Sequence, residues 1–227
     1  MSKNVIKNIG KAILIFFLFY FSYIFQYIPV LLFNIDVKNI SDSMSVVLST
    51  FSNIVLLLIL VLIFFKDLKR EWKIFKEKLG ENLDIGFRYW FLGLIGMMVS
   101  NIIITFVFKG GQAGNEETVQ TMITALPWLM LIDAGLLAPI IEEIVFRKTF
   151  KDAFKNKWVF VFTSGVFFGL LHIIGNVTTW TDILFIVPYS CLGISFALCY
   201  QKTNSIYTPI FMHMFHNTAL TLLSILV

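Results

Sequence analysis

Long apolar runs separated by short polar segments make up most of this chain. Runs of about 17–25 apolar residues are long enough to cross a bilayer as helices. They are continuous rather than alternating, which favours helices over strands, and only helices and closed barrels satisfy every backbone hydrogen bond in lipid. Seven such runs lie near residues 12–33, 44–65, 86–108, 122–150, 158–175, 182–200 and 205–226.

These runs predict an all-α fold, a polytopic membrane helix bundle of about seven transmembrane helices. We expect residues 1–227 to form a single integral membrane domain. The fourth run is longer than the bilayer alone requires, so its end, from about Arg147 onward, should project into water. Turn residues at Asn34–Ser43, Gly110–Asn115 and Gly175–Thr181 separate some of the runs.

Composition agrees with a membrane location. The chain of 227 residues is 58% hydrophobic and only 14% charged, and its mean hydropathy is +0.83. A soluble domain of this length usually carries more charge and fewer apolar residues. The 15 lysines against 3 arginines favour an AT-rich bacterial source, so the bacterial inner membrane is the expected location.

The basic residues lie almost entirely on one side of this layout. Of the 18 lysines and arginines, 16 fall in the N-terminal tail and in the connections after the second, fourth and sixth runs, and only Lys38 and Lys109 fall on the other side. The positive-inside rule then places the N-terminus in the cytoplasm and the C-terminus outside. The net charge of +4 is thus explained by membrane topology. The partners expected for the basic connections are anionic membrane lipids, and no nucleic acid is expected.

One basic connection allows two interpretations. The stretch Lys66–Asn82 mixes apolar side chains, such as Trp72 and Phe75, with many charges. It fits a helix lying on the cytoplasmic surface of the membrane. It fits a solvated connecting helix equally well.

Three polar clusters interrupt the later apolar runs: Glu142-Glu143-x-x-x-Arg147, Phe168-x-x-x-His172 and His213-x-x-x-Asn217. An ionisable side chain at membrane depth is costly and usually marks a functional site. The clusters use three separate runs and supply carboxylates, imidazoles and an amide. These groups are suited to activating water and to holding an oxyanion.

The two adjacent glutamates are expected to act separately. Neighbouring helical residues point about 100° apart, so Glu142 and Glu143 should not both face one site. Glu143 and Arg147, four residues apart, can pair on one face, either in support of a site or as a purely structural ion pair. Glu142 is left on another face, where a carboxylate in a cavity can serve as a general base. The alternative for Glu142 is a carboxylate at the rim that reaches water.

The two histidine clusters are predicted to meet Glu142. Runs four and five are antiparallel, so His172 and Glu142 should lie at a similar depth, with Phe168 as an apolar wall. His213 and Asn217 share one helical face and offer two donors of the kind an oxyanion hole requires. Structural alternatives remain, because a buried histidine is often a packing residue and a His/Asn pair can join two helices.

Close helix packing is expected beside His172. Gly165 and Gly169 form a small-x-x-x-small pattern, which lets membrane helices approach closely. His216 lies one position away from the face of His213 and Asn217, so we expect it to be peripheral.

Taken together and in this order, the three motifs resemble the CPBP family, which comprises type II CAAX prenyl endopeptidases and bacteriocin-processing or immunity proteins and is also called the Abi family. The resemblance covers about residues 120–220, which would form the catalytic core. It implies an intramembrane glutamic endopeptidase in which Glu142 and His172 activate a water. His213 and Asn217 would stabilise the oxyanion.

The resemblance also implies the surroundings of this chemistry. Glu143, Arg147 and Phe168 would support the site, and neither a metal nor another cofactor is expected. The substrate would be a membrane-associated peptide or a protein with a membrane-associated tail. We expect it to reach a conical cavity that is accessible from the cytoplasm.

Three other functions remain open from the sequence. The same glutamates and histidines are possible zinc ligands, although Arg147 fits a cation site poorly. The protein is alternatively a non-catalytic bacteriocin immunity protein or membrane regulator. Intramembrane Glu and His also occur in proton-coupled transporters, which commonly contain inverted repeats that this sequence does not display.

Overall fold

The computed structural model describes residues 3–108 and 114–226, and every regular element within these two ranges is helical. The predicted all-α membrane bundle is therefore confirmed. Lys109 and most of the predicted Gly110–Asn115 turn lie outside the described residues. The helices are α1 (Lys3–Tyr20), α2 (Tyr27–Leu32), α3 (Asp42–Glu77), α4 (Leu79–Val107), α5 (Gly114–Ala125), α6 (Pro127–Ile132), α7 (Ala138–Glu142), α8 (Thr149–Ala153), α9 (Lys157–Ile173), α10 (Ile186–Thr203) and α11 (Tyr207–Leu226).

Several of these helices are long and apolar enough to cross a membrane. The described residues contain four, namely α3, α4, α11 and the stretch Asp182–Thr203 that includes α10. A fifth is obtained when Ile6–Tyr20 and Ser22–Leu32, which are bent by 46°, are counted as one span. α9 is apolar but has only 17 residues. The chain is a multi-pass membrane protein, and the count of seven spans stays a prediction.

Most of the basic connection after the second apolar run, residues 66–77, continues α3, and its last residues, 79–82, begin α4. α3 has 36 residues, about 54 Å at 1.5 Å per residue, and so exceeds the hydrocarbon core of about 30 Å. Its start is capped by the Ser41 hydroxyl, which accepts from the Met44 amide at 3.2 Å, and no Gly or Pro interrupts it. Leu68 and Phe75 are buried. The surface-helix interpretation is therefore wrong.

The fourth apolar run is helical but irregular. Two π-helical segments, Asp133–Leu137 and Glu143–Lys148, lie between α6, α7 and α8. Pro139 has no N–H, so it removes one helical donor and leaves a carbonyl of the preceding turn without its helical partner. Side chains of α11 occupy two carbonyls in that turn: Asn217 donates to Ala134 at 3.0 Å and Thr218 donates to Gly135 at 3.3 Å. The irregularity thus joins this helix to α11.

α9 and α10 pack almost backbone to backbone, as the small-x-x-x-small pattern predicts. A Cβ on Gly165 would lie 2.8 Å from the Ile194 nitrogen, and one on Gly169 would lie 2.7 Å from the Ile186 carbonyl oxygen. Neither position has room for a side chain unless the backbone moves. This contact fixes the position of α9, and therefore of His172 near its C-terminal end.

A buried polar cluster joins three helices at the end of the bundle that carries most of the basic residues. The Glu71 carboxylate accepts from the Tyr200 hydroxyl at 3.0 Å and from the Ile206 amide at 2.9 Å. The Ser205 hydroxyl donates to the Glu71 carbonyl at 3.0 Å, and Lys148 Nζ lies 3.6 Å from the same carboxylate. Glu71 is only 3% exposed. This cluster ties α3 to the α10–α11 connection.

Candidate active site

A cavity of about 460 Å³ lies within the bundle and is lined by residues of several helices. It brings together Glu142, Phe168, His172, His213 and Asn217, which the sequence placed in three separate motifs. The remaining lining residues are mostly apolar and belong largely to α5, α10 and α11. The convergence matches the geometric prediction, whereas the chemical roles of these residues stay predictions.

His172 is oriented by its own helix. Its Nδ1 lies 2.8 Å from the Phe168 carbonyl oxygen. A carbonyl only accepts, so this hydrogen bond requires a proton on Nδ1 and leaves Nε2 as an acceptor in the neutral ring. The ring also stacks on Tyr189, with centroids 4.5 Å apart. His172 thus presents a proton-accepting nitrogen in the orientation that these contacts impose.

His213 lies between the two glutamates. Its Nδ1 is 3.0 Å from Glu143 Oε1, and its Nε2 is 3.7 Å from Glu142 Oε2. His213 is 2% exposed. Because a carboxylate only accepts, the Glu143 contact places a proton on Nδ1. The Nε2 edge is the side of the ring that faces Glu142.

The expectation that the adjacent glutamates act at separate places is wrong in one respect. Only Glu142 lines the cavity, but both glutamates contact the ring of His213. The physical reason is the shape of imidazole: its two nitrogens lie on different edges, so one ring from a facing helix can meet two diverging carboxylates. His213 therefore contacts both glutamates, although they point in different directions from their own helix.

The predicted Glu143–Arg147 pair is present and deeply buried. Arg147 Nη2 lies 3.2 Å from Glu143 Oε1, and neither side chain is exposed. The Arg147 guanidinium also lies 4.5 Å from the centroid of the Phe168 ring, a cation–π contact that partly replaces lost hydration. The expectation that the helix projects into water from Arg147 onward is therefore wrong at this residue, because neighbouring helices enclose it.

Asn217 is anchored while it lines the cavity. Its amide donates one hydrogen bond to the Ala134 carbonyl at 3.0 Å. A carboxamide nitrogen carries two hydrogens, so a second donor is left for the cavity. The contact matches the predicted helix-joining role of this residue, and it is compatible with an oxyanion role as well.

Sequence reasoning missed two further side chains. His216, expected to be peripheral, lines the cavity, and its Nδ1 accepts from Trp90 Nε1 at 3.4 Å. Tyr189 lies on the face of His172 and donates from its hydroxyl to Glu116 at 3.4 Å. All three histidines of the chain thus line one cavity. For His216, the available sequence signal was its position next to Asn217. For Tyr189, the sequence gives no signal, because an aromatic residue in an apolar run is common.

No metal-binding arrangement is found in the described part of the chain. Within residues 3–108 and 114–226, no group of three or more His, Cys, Asp or Glu side chains is placed to hold a metal ion. The zinc alternative therefore gains no support from these side chains.

The cavity extends away from the basic end of the bundle, and the expectation of a cytoplasm-accessible site stays a prediction. From Glu142 it continues to Glu116 and Gln120 of α5 and to Leu223 and Ser224 in the last turns of α11. These turns lie at the opposite end of the bundle from the Glu71 cluster. The distance of a residue from the basic turn after run four predicts its depth, but it does not predict which side of that depth is closed by packing.

The fold and the cavity define a class: helical membrane proteins with ionisable side chains around a cavity within the bundle. Residues 123–219 match the model of the Rce1-like type II CAAX prenyl endopeptidases. This part of the chain is therefore similar to the Rce1-like CAAX endopeptidase family. This confirms the resemblance drawn from the three motifs.

Individual relatives agree with this assignment. YdiL of Bacillus subtilis (strain 168), named as a candidate membrane peptidase, is 30% identical over 154 residues, 66% of this chain and 59% of that protein. The membrane-embedded CAAX protease MroQ of Staphylococcus aureus (strain USA300) is 29% identical over 136 residues, 56% of this chain and 51% of that protein. UPF0177 protein YxdF of Lactococcus lactis is 25% identical over 163 residues, 69% of this chain and 86% of that protein.

The matched region spans between half and three fifths of the length of YdiL and MroQ. No solved structure matches the chain. The family assignment supports a membrane peptidase at the level of class, and the reaction of this particular chain is a separate question.

Proposed function

We propose that this protein is an intramembrane endopeptidase of the glutamic type, with residues 120–220 as its catalytic core. The observation that carries the proposal is the single cavity lined by Glu142, His172, His213 and Asn217. The similarity of residues 123–219 to the Rce1-like family supports the same reaction class. The substrate is a peptide bond in a membrane-associated peptide or protein.

Glu142 and His172 activate the attacking water. One Glu142 oxygen is buried without a hydrogen-bond partner among the described residues, and His172 presents Nε2 as an acceptor. A general base takes a proton from water while the water oxygen bonds to the carbonyl carbon of the peptide. The former carbonyl oxygen then carries the negative charge of a tetrahedral intermediate.

His213 and Asn217 stabilise that oxyanion. Because Nδ1 of His213 already carries the proton that Glu143 accepts, Nε2 donates only in the imidazolium form, in which both ring nitrogens are protonated. Nε2–H of this imidazolium and the second amide N–H of Asn217 are the two donors, and preorganised donors act strongly on developing charge. Glu143 orients His213 through the 3.0 Å contact to Nδ1, and Arg147 holds Glu143. Collapse of the intermediate breaks the C–N bond, and the proton taken from water passes to the leaving amine. The products are a carboxylate and an amine.

Replacement of Glu142 tests the proposal. Peptides associated with the membrane are compared by mass spectrometry in cells that express the wild-type protein, Glu142→Gln or Glu117→Gln. Glu117 is an exposed glutamate of α5, outside the cavity lining, and provides a matched control.

We expect Glu142→Gln to slow cleavage by about 10²- to 10⁴-fold, the usual contribution of a general base. An uncut peptide should therefore accumulate in cells with Glu142→Gln and not in cells with Glu117→Gln. Identical peptide profiles in all three strains would contradict the proposal. Full biological activity of Glu142→Gln would instead favour a non-catalytic immunity protein or regulator.

A further inference from the structure

The cavity is closed at the basic end of the bundle. Below Glu142 lies a layer of side chains that are at most 1% exposed. The layer consists of Glu143, Phe146, Arg147, Phe168 and Phe196. Phe146 and Phe168 meet edge to face at 5.8 Å, and Arg147 lies against the Phe168 ring at 4.5 Å. Among the described residues, this layer of buried side chains separates the cavity from the basic end of the bundle.

A second buried layer lies beneath the first. Tyr200, Ser205 and Ile206 are each at most 1% exposed, and all three bond to Glu71. Lys148 adds a cation 3.6 Å from the Glu71 carboxylate. A peptide that entered from this end would have to break a network whose members are satisfied by one another, and unpaired buried charges are costly.

The other end of the cavity is formed by helix ends. His172 is next to the last residue of α9, Tyr189 lies in the first turn of α10, and Ser224 lies near the end of α11. α9 and α11 start after basic connections and α10 ends before one, so these three ends lie on the same side of the bundle. Glu116 and Gln120 of α5 complete the lining on that side, and both are exposed.

We propose that the substrate reaches Glu142 from the outer face of the membrane, because the cavity extends away from the end that carries nearly all of the basic residues. The positive-inside rule assigns the basic end to the cytoplasm. The peptide hydrolysed is then an exported peptide or a segment exposed at the outer leaflet, not a cytoplasmic tail. That the molecule entering the cavity is a substrate rests on the proposed function, whereas the side from which the cavity is reached is a property of the cavity itself.

Cysteine labelling tests the side of access without any need for turnover. Three variants are made: Ala138→Cys in the cavity lining, Lys38→Cys in the exposed connection before α3, and Lys155→Cys in the exposed connection after α8. A charged, membrane-impermeant thiol reagent is added to intact cells and to inside-out vesicles. The wild-type protein gives the background from the native Cys191 and Cys199.

We expect Ala138→Cys and Lys38→Cys to be labelled in intact cells and Lys155→Cys only in inside-out vesicles. The inference would be overturned if Ala138→Cys were labelled from the same face as Lys155→Cys. It would also be overturned if Ala138→Cys were not labelled from the face that labels Lys38→Cys. Labelling of Lys38→Cys only in inside-out vesicles would overturn it too, since the orientation would be reversed. Gln120→Cys, at an exposed position of the lining, serves as a second cavity probe if Ala138→Cys does not fold.

The result separates this inference from the proposed function. Labelling of the cavity from outside without any loss of peptide processing in Glu142→Gln would contradict the peptidase alone. Loss of processing in Glu142→Gln, combined with labelling of the cavity from the basic side, would contradict outer access alone.

Discussion

Glu143→Gln should destabilise the protein strongly although it changes only one atom. Glu143 is fully buried, and its Oε1 lies 3.2 Å from Arg147 Nη2 and 3.0 Å from His213 Nδ1. The substitution keeps the shape but removes the negative charge, so the buried Arg147 guanidinium loses the only carboxylate that forms an ion pair with it among the described residues. Breaking a buried pair in this way costs about 3–5 kcal/mol of unfolding free energy.

Two variants separate charge loss from other effects. Glu142→Gln removes the neighbouring carboxylate, whose side chain is 18% exposed and whose nearest cation candidate is 3.7 Å away. It should cost less than about 1 kcal/mol, as weak, partly exposed pairs do. The double variant Glu143→Gln/Arg147→Met removes both charges, and most of the lost stability should return because no unpaired ion remains.

In the double variant, we expect stability to return while activity stays impaired. Unfolding free energy is measured in detergent micelles by titration with denaturant, and cleavage is measured on a peptide found to accumulate in Glu142→Gln cells. The double variant should be stable but impaired in cleavage, because His213 has lost the carboxylate at Nδ1 that orients it. Wild-type stability of Glu143→Gln, or strictly additive losses in the double variant, would refute the charge-pair reasoning.

Two other predictions concern packing and pH. Gly169→Ala should cost about 1–3 kcal/mol through overpacking, because its Cβ would meet the Ile186 carbonyl oxygen at 2.7 Å. A Cβ on Gly80 of α4 would meet no atom within 4 Å, so Gly80→Ala should be neutral or stabilise by up to about 1 kcal/mol, because Ala favours a helix more than Gly does. Denaturant unfolding measures both. Burial lowers the pKa of Lys151, beside Tyr200 and outside the apolar runs, to about 8. The unfolded chain then binds more protons above that pH, so unfolding free energy should rise between about pH 8 and 10 and the rise should shrink in Lys151→Met.

Each of these predictions has an outcome that contradicts it. Equal stability of Gly169→Ala and Gly80→Ala would mean that α9 and α10 separate without cost. A pH profile of Lys151→Met that matches the wild-type profile would mean that another group titrates in this range.

The pattern of residues along the chain by itself determined the features that depend only on residues close together in sequence. Continuous apolar runs indicated helices, and the four-residue spacing of Glu143 and Arg147 predicted a pair that the structure contains. The spacing of Gly165 and Gly169 predicted close packing of α9, which the missing space for a Cβ confirms. These properties follow from the geometry of one helix, about 3.6 residues per turn and 1.5 Å per residue, and need no knowledge of the partner.

Tertiary structure decided what depends on the rotation and tilt of one helix against another. Periodicity does not give these quantities, since they are set by packing contacts such as that of Gly169 with Ile186. For this reason the sequence separated Glu142 from Glu143, whereas the ring of His213 from α11 meets both. The same packing closes the cavity at its basic end and leaves it to extend toward the opposite end, a direction that no residue pattern in the chain encodes.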